Sequence, residues 1–97
     1  MADTSTKTPV FKCGMLRATP GALKAFEANR EWLIPYLYRH MAGDWGEVDP
    51  EDWKLNDDSV EDGSRILSVY RLGNGEKIWI ITEADRASTT ILLPEEY

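Results

Sequence analysis

The single histidine of this sequence, His40, is the side chain best suited to acid/base chemistry near neutral pH. Two further groups of catalytic type, Glu83 and Arg86, lie together in a segment rich in charged and hydroxyl side chains. Such a pair can act on a phosphate group or simply pin a turn, and a histidine near a helix end can simply satisfy terminal carbonyl groups. His40, Glu83 and Arg86 are therefore candidate catalytic residues, and the structural interpretation of each is favoured.

A second group of candidates lies in residues 43–47, where two glycines alternate with two carboxylates around a tryptophan. Such a loop can present Asp44, Trp45 and Glu47 to a ligand or to a partner protein. Paired carboxylates do acid/base work only when their surroundings separate their pKa values, and a sequence does not reveal those surroundings. The structural alternative, in which Trp45 fills the core beneath a tight turn, is favoured.

Residue types that hold metals and cofactors are scarce in this chain. It has one cysteine, Cys13, and one histidine, which are too few for a structural zinc site. Serine-nucleophile motifs, phosphate-binding glycine loops and dinucleotide fingerprints are absent from the sequence. Cys13 is better explained as a small buried hydrophobic residue than as a reactive thiol. We therefore expect no metal and no cofactor.

The net charge of −6 is concentrated in the middle of the chain. Residues 42–63 hold nine acids against Lys54, whereas residues 1–41 carry a small positive excess. Nucleic-acid binders neutralise phosphates with clustered lysine and arginine, and without such a cluster nucleic acid is disfavoured as a ligand. A protein partner with a basic surface is the better electrostatic match, and association of the chain with itself stays open.

The length of 97 residues predicts one small domain. Residues 1–9 have no large apolar side chain after Met1 and are expected to form a flexible tail, which leaves residues 10–97 as a single domain. No export signal opens the sequence and no apolar run is long enough to cross a bilayer, so no membrane partner is expected. A single cysteine cannot form an internal disulfide, and the cytoplasm is the expected compartment.

Helix signals dominate the first two thirds of the chain. Thr19-Pro20 and Asp49-Pro50 each combine an N-cap residue with proline at the first helical position. Pro35 cannot lie deep inside a helix, so another helix should begin just before it. The sequence therefore predicts helices over residues 20–29, 34–41 and about 50–60. The last of these is expected to bury only a narrow stripe of Trp53, Leu55 and Val60.

Alternating apolar residues predict a sheet in the last third of the chain. Residues 65–72 and 77–83 flank Asn74-Gly75, which is the strongest short-range hairpin signal. A two-residue turn centred there would place Tyr70 opposite Trp79 on one face. That face is either covered by further structure or presents Tyr70 and Trp79 to a partner.

Two further strands complete the predicted sheet. Residues 89–93, ended by Pro94, continue the hairpin, and residues 10–17 alternate like a strand at the edge of the sheet. The expected fold is therefore α+β, with two or three N-terminal helices packed on a C-terminal antiparallel β-meander.

The motif GDWG at residues 43–46 and the closing segments KIWIITEADR and TTILLP, at residues 77–86 and 89–94, carry a resemblance. Over residues 15–97 the chain resembles a family of short uncharacterised bacterial proteins described as plasmid-related or restriction-associated. That resemblance implies a bacterial source and a connection with mobile elements, and it brings no established activity.

Two hypotheses for the function follow. The first is a non-enzymatic protein-binding or regulatory module that presents the acidic middle segment and the Tyr70 and Trp79 face to a protein. The second rests on topology, since helices followed by an antiparallel meander are similar to barnase-like and RelE-like ribonucleases. That similarity implies a small enzyme in which His40 and Glu83 act with Arg86 as the electrostatic stabiliser. The first hypothesis is favoured.

Overall fold

The computed structural model describes residues 8–97, which form an α+β fold as expected. Of the predicted tail, residues 1–7 lie outside the described residues. The elements in chain order are strand β1 (Met15–Ala18), helices α1 (Pro20–Asn29), α2 (Leu33–Met41) and α3 (Pro50–Asp62), strands β2 (Ile66–Arg71), β3 (Lys77–Thr82) and β4 (Ser88–Leu92), and a final 3-10 turn (Pro94–Glu96).

The predicted helix starts are confirmed in their atomic detail. The side chain of Thr19 accepts a hydrogen bond from the Ala22 amide at 3.1 Å, and that of Asp49 accepts one from the Asp52 amide at 2.8 Å. At its other end α3 is closed by Gly63, as its positive φ of 80° allows. Local side-chain chemistry therefore sets these boundaries.

The four strands form one sheet in the order β1-β4-β3-β2. The antiparallel meander of β2, β3 and β4 is confirmed, whereas β1 joins β4 in parallel and makes the sheet mixed. The predicted edge strand is shorter than expected and begins at Met15 instead of residue 10. The reason is that Phe11 leaves the sheet and packs against the rings of His40 and Trp45.

The core lies between helices α1 and α2 and one face of the sheet, which we call the inner face. Ala22, Ala25 and Phe26 of α1 pack against the buried residues Tyr70, Leu72, Ile78, Ile80, Ile91 and Leu93. The opposite face, which we call the outer face, carries the side chains of Leu67, Val69, Trp79, Ile81, Thr90 and Leu92. Helices α1 and α2 therefore do not cover the outer face.

The pairing of the β2–β3 hairpin differs from the prediction by one residue. Val69 lies opposite Trp79, and Tyr70 lies opposite Ile78, so the expected Tyr70–Trp79 pair is wrong. The loop has three residues instead of two, because Leu72 donates to the carbonyl of Glu76 at 2.8 Å. Because side chains alternate between the faces of a strand, this one-residue shift in pairing moves the two aromatic side chains to opposite faces. Tyr70 lies on the inner face and Trp79 on the outer face.

Replacing Gly75 with alanine should cost about 1 kcal/mol of unfolding free energy, because Gly75 has a φ of 91° that a side chain disfavours. A Cβ there would meet nothing within 4 Å, so the loss comes from the backbone conformation alone. Urea denaturation measures it, and Gly75→Asn should recover part of the loss because asparagine tolerates this conformation. Equal stability of all three proteins would contradict the positive φ of Gly75.

Candidate functional site

His40 lies near the end of α2 with its ring fully buried. Its Nδ1 is 2.5 Å from the hydroxyl oxygen of Ser68 on β2, and its Nε2 is 2.8 Å from that of Thr82 on β3. The structural interpretation placed the ring against helix carbonyls, and that placement is wrong. Instead the ring bridges two strands across the inner face of the sheet.

The polar contacts of His40 continue as a chain of hydroxyl groups. The Thr89 hydroxyl donates to the carbonyl of Cys13 at 2.7 Å, so at 2.7 Å it accepts from Thr82. Thr82 has then used its only hydrogen and accepts from Nε2 of His40. In the neutral imidazole Nδ1 then accepts from Ser68, so the network places the hydrogen of the neutral ring on Nε2.

Burial, together with the positive charge of Arg86, lowers the pKa of His40 to about 3. The ring is thus neutral at physiological pH. General acid/base catalysis requires a ring that reaches a substrate directly or through water. The His40 ring is fully buried and both of its nitrogens are hydrogen-bonded to the protein. In this geometry His40 therefore has a structural role.

Arg86 links the end of α3 to the turn between β3 and β4. Its guanidinium donates to the carbonyls of Ser59 and Ser64, each at 2.7 Å, and to that of Glu83 at 3.1 Å. A cation at a helix C-terminus also interacts favourably with the helix dipole. Arg86 therefore pins this turn, and it does so through the main chain of Glu83, whose side chain is exposed.

Trp45 is fully buried in the connection between α2 and α3. Its indole nitrogen donates to Asp57 at 2.9 Å, and its ring packs against Phe11 and His40. The next residue, Gly46, forms a parallel bridge with Val69 that holds this connection along β2. These contacts agree with the structural alternative, in which Trp45 fills the core.

The two carboxylates that flank Trp45 form ion pairs with neighbouring arginines. Asp44 accepts from Arg39 at 2.8 Å, and Glu47 accepts from Arg71 at 3.0 Å, with all four side chains partly exposed. The contact with Arg71 lowers the pKa of Glu47. Exposed pairs of this kind add little stability, so they orient the loop more than they hold it.

The two aromatic residues predicted to form a binding face have different surroundings. Tyr70 is buried on the inner face, and its hydroxyl donates to the Asp44 carbonyl at 2.6 Å. Trp79 is partly exposed on the outer face and meets the Tyr97 ring edge-on at 5.5 Å between centroids. Of the predicted binding residues, Trp79 is therefore the one that lines a groove on the outer face.

A groove of about 570 Å³ lies between α3 and the outer face, and we call it the outer groove. Its apolar lining comes from Val48, Leu55, Leu67, Trp79, Ile81 and Tyr97. Leu55 is 61% exposed and Tyr97 is 67% exposed, so part of this apolar surface faces water. The predicted burial of Leu55 is therefore wrong, because Trp53 and Leu55 lie two residues apart on different sides of the helix.

The wall of the outer groove that α3 supplies is acidic. Asp52, Asp58 and Asp62 line it, and α3 as a whole carries six acids and one lysine. The arginine in the lining, Arg65, packs 5.0 Å from the centre of the Tyr97 ring and donates to its hydroxyl. Apolar and acidic surface thus lie side by side. His40, Glu83 and Arg86 are not part of this groove.

Sequence reasoning identified Trp79 and the acidic charge but missed Leu55 and Tyr97. The available signal was a leucine among the acids of α3 that does not fit the apolar stripe.

In residues 8–97 no group of three or more His, Cys, Asp or Glu side chains could hold a metal ion. Over the same residues no helix is long and apolar enough to cross a membrane.

Comparison of the chain with protein-family models, with curated proteins and with solved structures finds no significant match. The resemblance to short bacterial proteins therefore stays a prediction from the sequence motifs alone.

Proposed function

We propose that this chain is a non-enzymatic protein-binding module whose outer groove takes a basic and apolar segment of a partner protein. The observation that carries the proposal is the partly exposed apolar lining beside an acidic helix wall. Interfaces of this kind gain affinity from aromatic and aliphatic anchors, and charged rims mainly set the encounter rate and the choice of partner.

The ribonuclease alternative has less support. His40 is neutral and buried, and the guanidinium of Arg86 is engaged with main-chain carbonyls. The acidic middle of the chain also repels phosphate. A cytoplasmic location belongs to the proposal, supported by the single cysteine, Cys13, which has no partner for an internal disulfide.

Two synthetic peptides of lysine and leucine with equal composition and different order can test the binding function. Titrated into isotope-labelled protein, at least one of them should shift the amide signals of α3 and the indole signal of Trp79. Raising the salt from about 50 mM to about 500 mM should weaken the binding severalfold, since screening removes the charge attraction. Binding of a matched glutamate and leucine peptide with equal affinity would contradict the proposal.

Leu55→Ser should weaken binding of the better peptide about tenfold, because one exposed apolar anchor contributes on the order of 1.4 kcal/mol. Leu23→Ser is the matched control, since Leu23 is 48% exposed on α1 and does not line the outer groove. Both variants remove an exposed leucine and should fold normally. An equal effect of the two would place the binding elsewhere.

A further inference from the structure

The outer edge of β2, which borders the outer groove, has its main-chain groups occupied. Leu67 donates to the side-chain oxygen of Asn56 at 3.2 Å and accepts from its amide nitrogen at 2.7 Å. Val69 donates to the Trp45 carbonyl at 3.1 Å and accepts from the Glu47 amide at 2.7 Å. A side chain and a loop thus take the positions that another strand would need.

This closed edge restricts the conformation of any segment that enters the groove. A strand gains affinity by pairing with a free sheet edge, and β2 offers no such pairing at Leu67 and Val69. The sheet ends on the other side at β1, three strand positions from β2, or about 14 Å. An extended segment in the groove would leave main-chain groups without partners, whereas a helix satisfies its own.

We infer that the segment bound in the outer groove is an amphipathic α-helix with an apolar stripe and a basic flank. This inference rests on the proposed function and specifies its partner. The apolar stripe would pack against Leu55, Trp79 and Tyr97, and the basic flank would run beside the acidic wall of α3.

The order of residues in α3 specifies the pattern of the partner helix. Asp52, Leu55 and Asp58 follow one another at three-residue intervals and all line the groove. The two aspartates are separated by about 9 Å along the helix axis, which equals about six residues of a second helix lying alongside. The partner helix should therefore carry two lysines or arginines about six or seven residues apart, with an apolar residue between them.

The two peptides of equal composition distinguish a helix from a strand. One places leucines at helical spacing, and the other alternates leucine and lysine. The helical order should bind about tenfold more tightly to the full chain and should gain helical circular dichroism on binding. A third peptide, with proline at the centre of the helical order, should lose this advantage because proline breaks the helix.

Asp58→Asn should weaken binding of the helical peptide about threefold. Glu27→Gln, which removes an exposed acid on α1 away from the groove, should leave the affinity unchanged. If the alternating peptide binds the outer groove as tightly as the helical one, the helix is refuted while the proposed function stands. If neither peptide binds, the proposed function fails as well. Signal changes confined to Met15–Ala18 would indicate strand addition at β1 and would refute both.

Discussion

Gly46→Ala is expected to destabilise the chain by about 3–5 kcal/mol, because the added methyl group would collide with the neighbouring strand. Gly46 has a φ of 76° and bridges to Val69. A Cβ at this position would collide with the carbonyl oxygen of Val69 and lie 2.7 Å from a ring carbon of Tyr70. The Val69 carbonyl belongs to strand β2 and Tyr70 is buried in the core, so the new methyl group must force the loop away from β2.

Gly63→Ala is the matched control for Gly46→Ala. Gly63 also has a positive φ, of 80°, but a Cβ there meets nothing within 4 Å. Its loss should be about 1 kcal/mol, the strain of the backbone conformation alone. Urea denaturation of both variants separates collision from strain. Losses of the same size would mean that the loop beside β2 is not packed as described.

The bridge at Gly46 also connects stability to the outer groove. Releasing the loop would free the main chain of Val69 and open the edge of β2. If Gly46→Ala folds at reduced temperature, the alternating peptide should therefore gain affinity relative to the helical one, because strand addition becomes available.

The fold class and most element boundaries were predictable because they depend on short-range chemistry. Thr19-Pro20 and Asp49-Pro50 contain the cap and the first helical residue together, so the helix starts need no tertiary information. The hairpin was predictable for the same reason. Its register was not, because the Gly73 amide is held by Glu31, in the loop between α1 and α2, and the Asn74 amide by Asn29, the last residue of α1.

The surroundings of individual site residues were harder to predict. Burial of Trp45 was the favoured interpretation, but its partners were not predictable, because its ring packs against Phe11, more than thirty positions earlier. The outer groove joins Leu55, Trp79 and Tyr97 from three separate segments. The sequence carries the acidic charge of this region, but only the packing of α3 beside β2 places that charge next to apolar surface.

The buried ring of His40 predicts a pH dependence of stability between pH 7 and 5. In the unfolded chain the ring has its ordinary pKa of 6.5, and in the folded chain the pKa is about 3. Between these values the unfolded state binds more protons, so stability is complete above pH 6.5 and falls as the pH falls. From pH 7 to pH 5 the free energy of unfolding should fall by about 2 kcal/mol. The carboxyl groups with lowered pKa values, such as Glu31 and Glu96, act mainly below this range.

His40→Gln isolates this contribution, because glutamine can still hydrogen bond to Ser68 or Thr82 but does not titrate. The variant should be less stable at pH 7, since its amide does not match the ring, yet its stability should barely change from pH 7 to pH 5. Urea denaturation across that range gives both slopes. Nitrogen NMR of the wild-type ring provides a check that does not depend on the variant folding, and it should show a neutral imidazole with hydrogen on Nε2 down to about pH 4. A ring that titrates near pH 6.5 in the folded protein would instead be solvent-accessible, which would restore His40 as a candidate for acid/base chemistry.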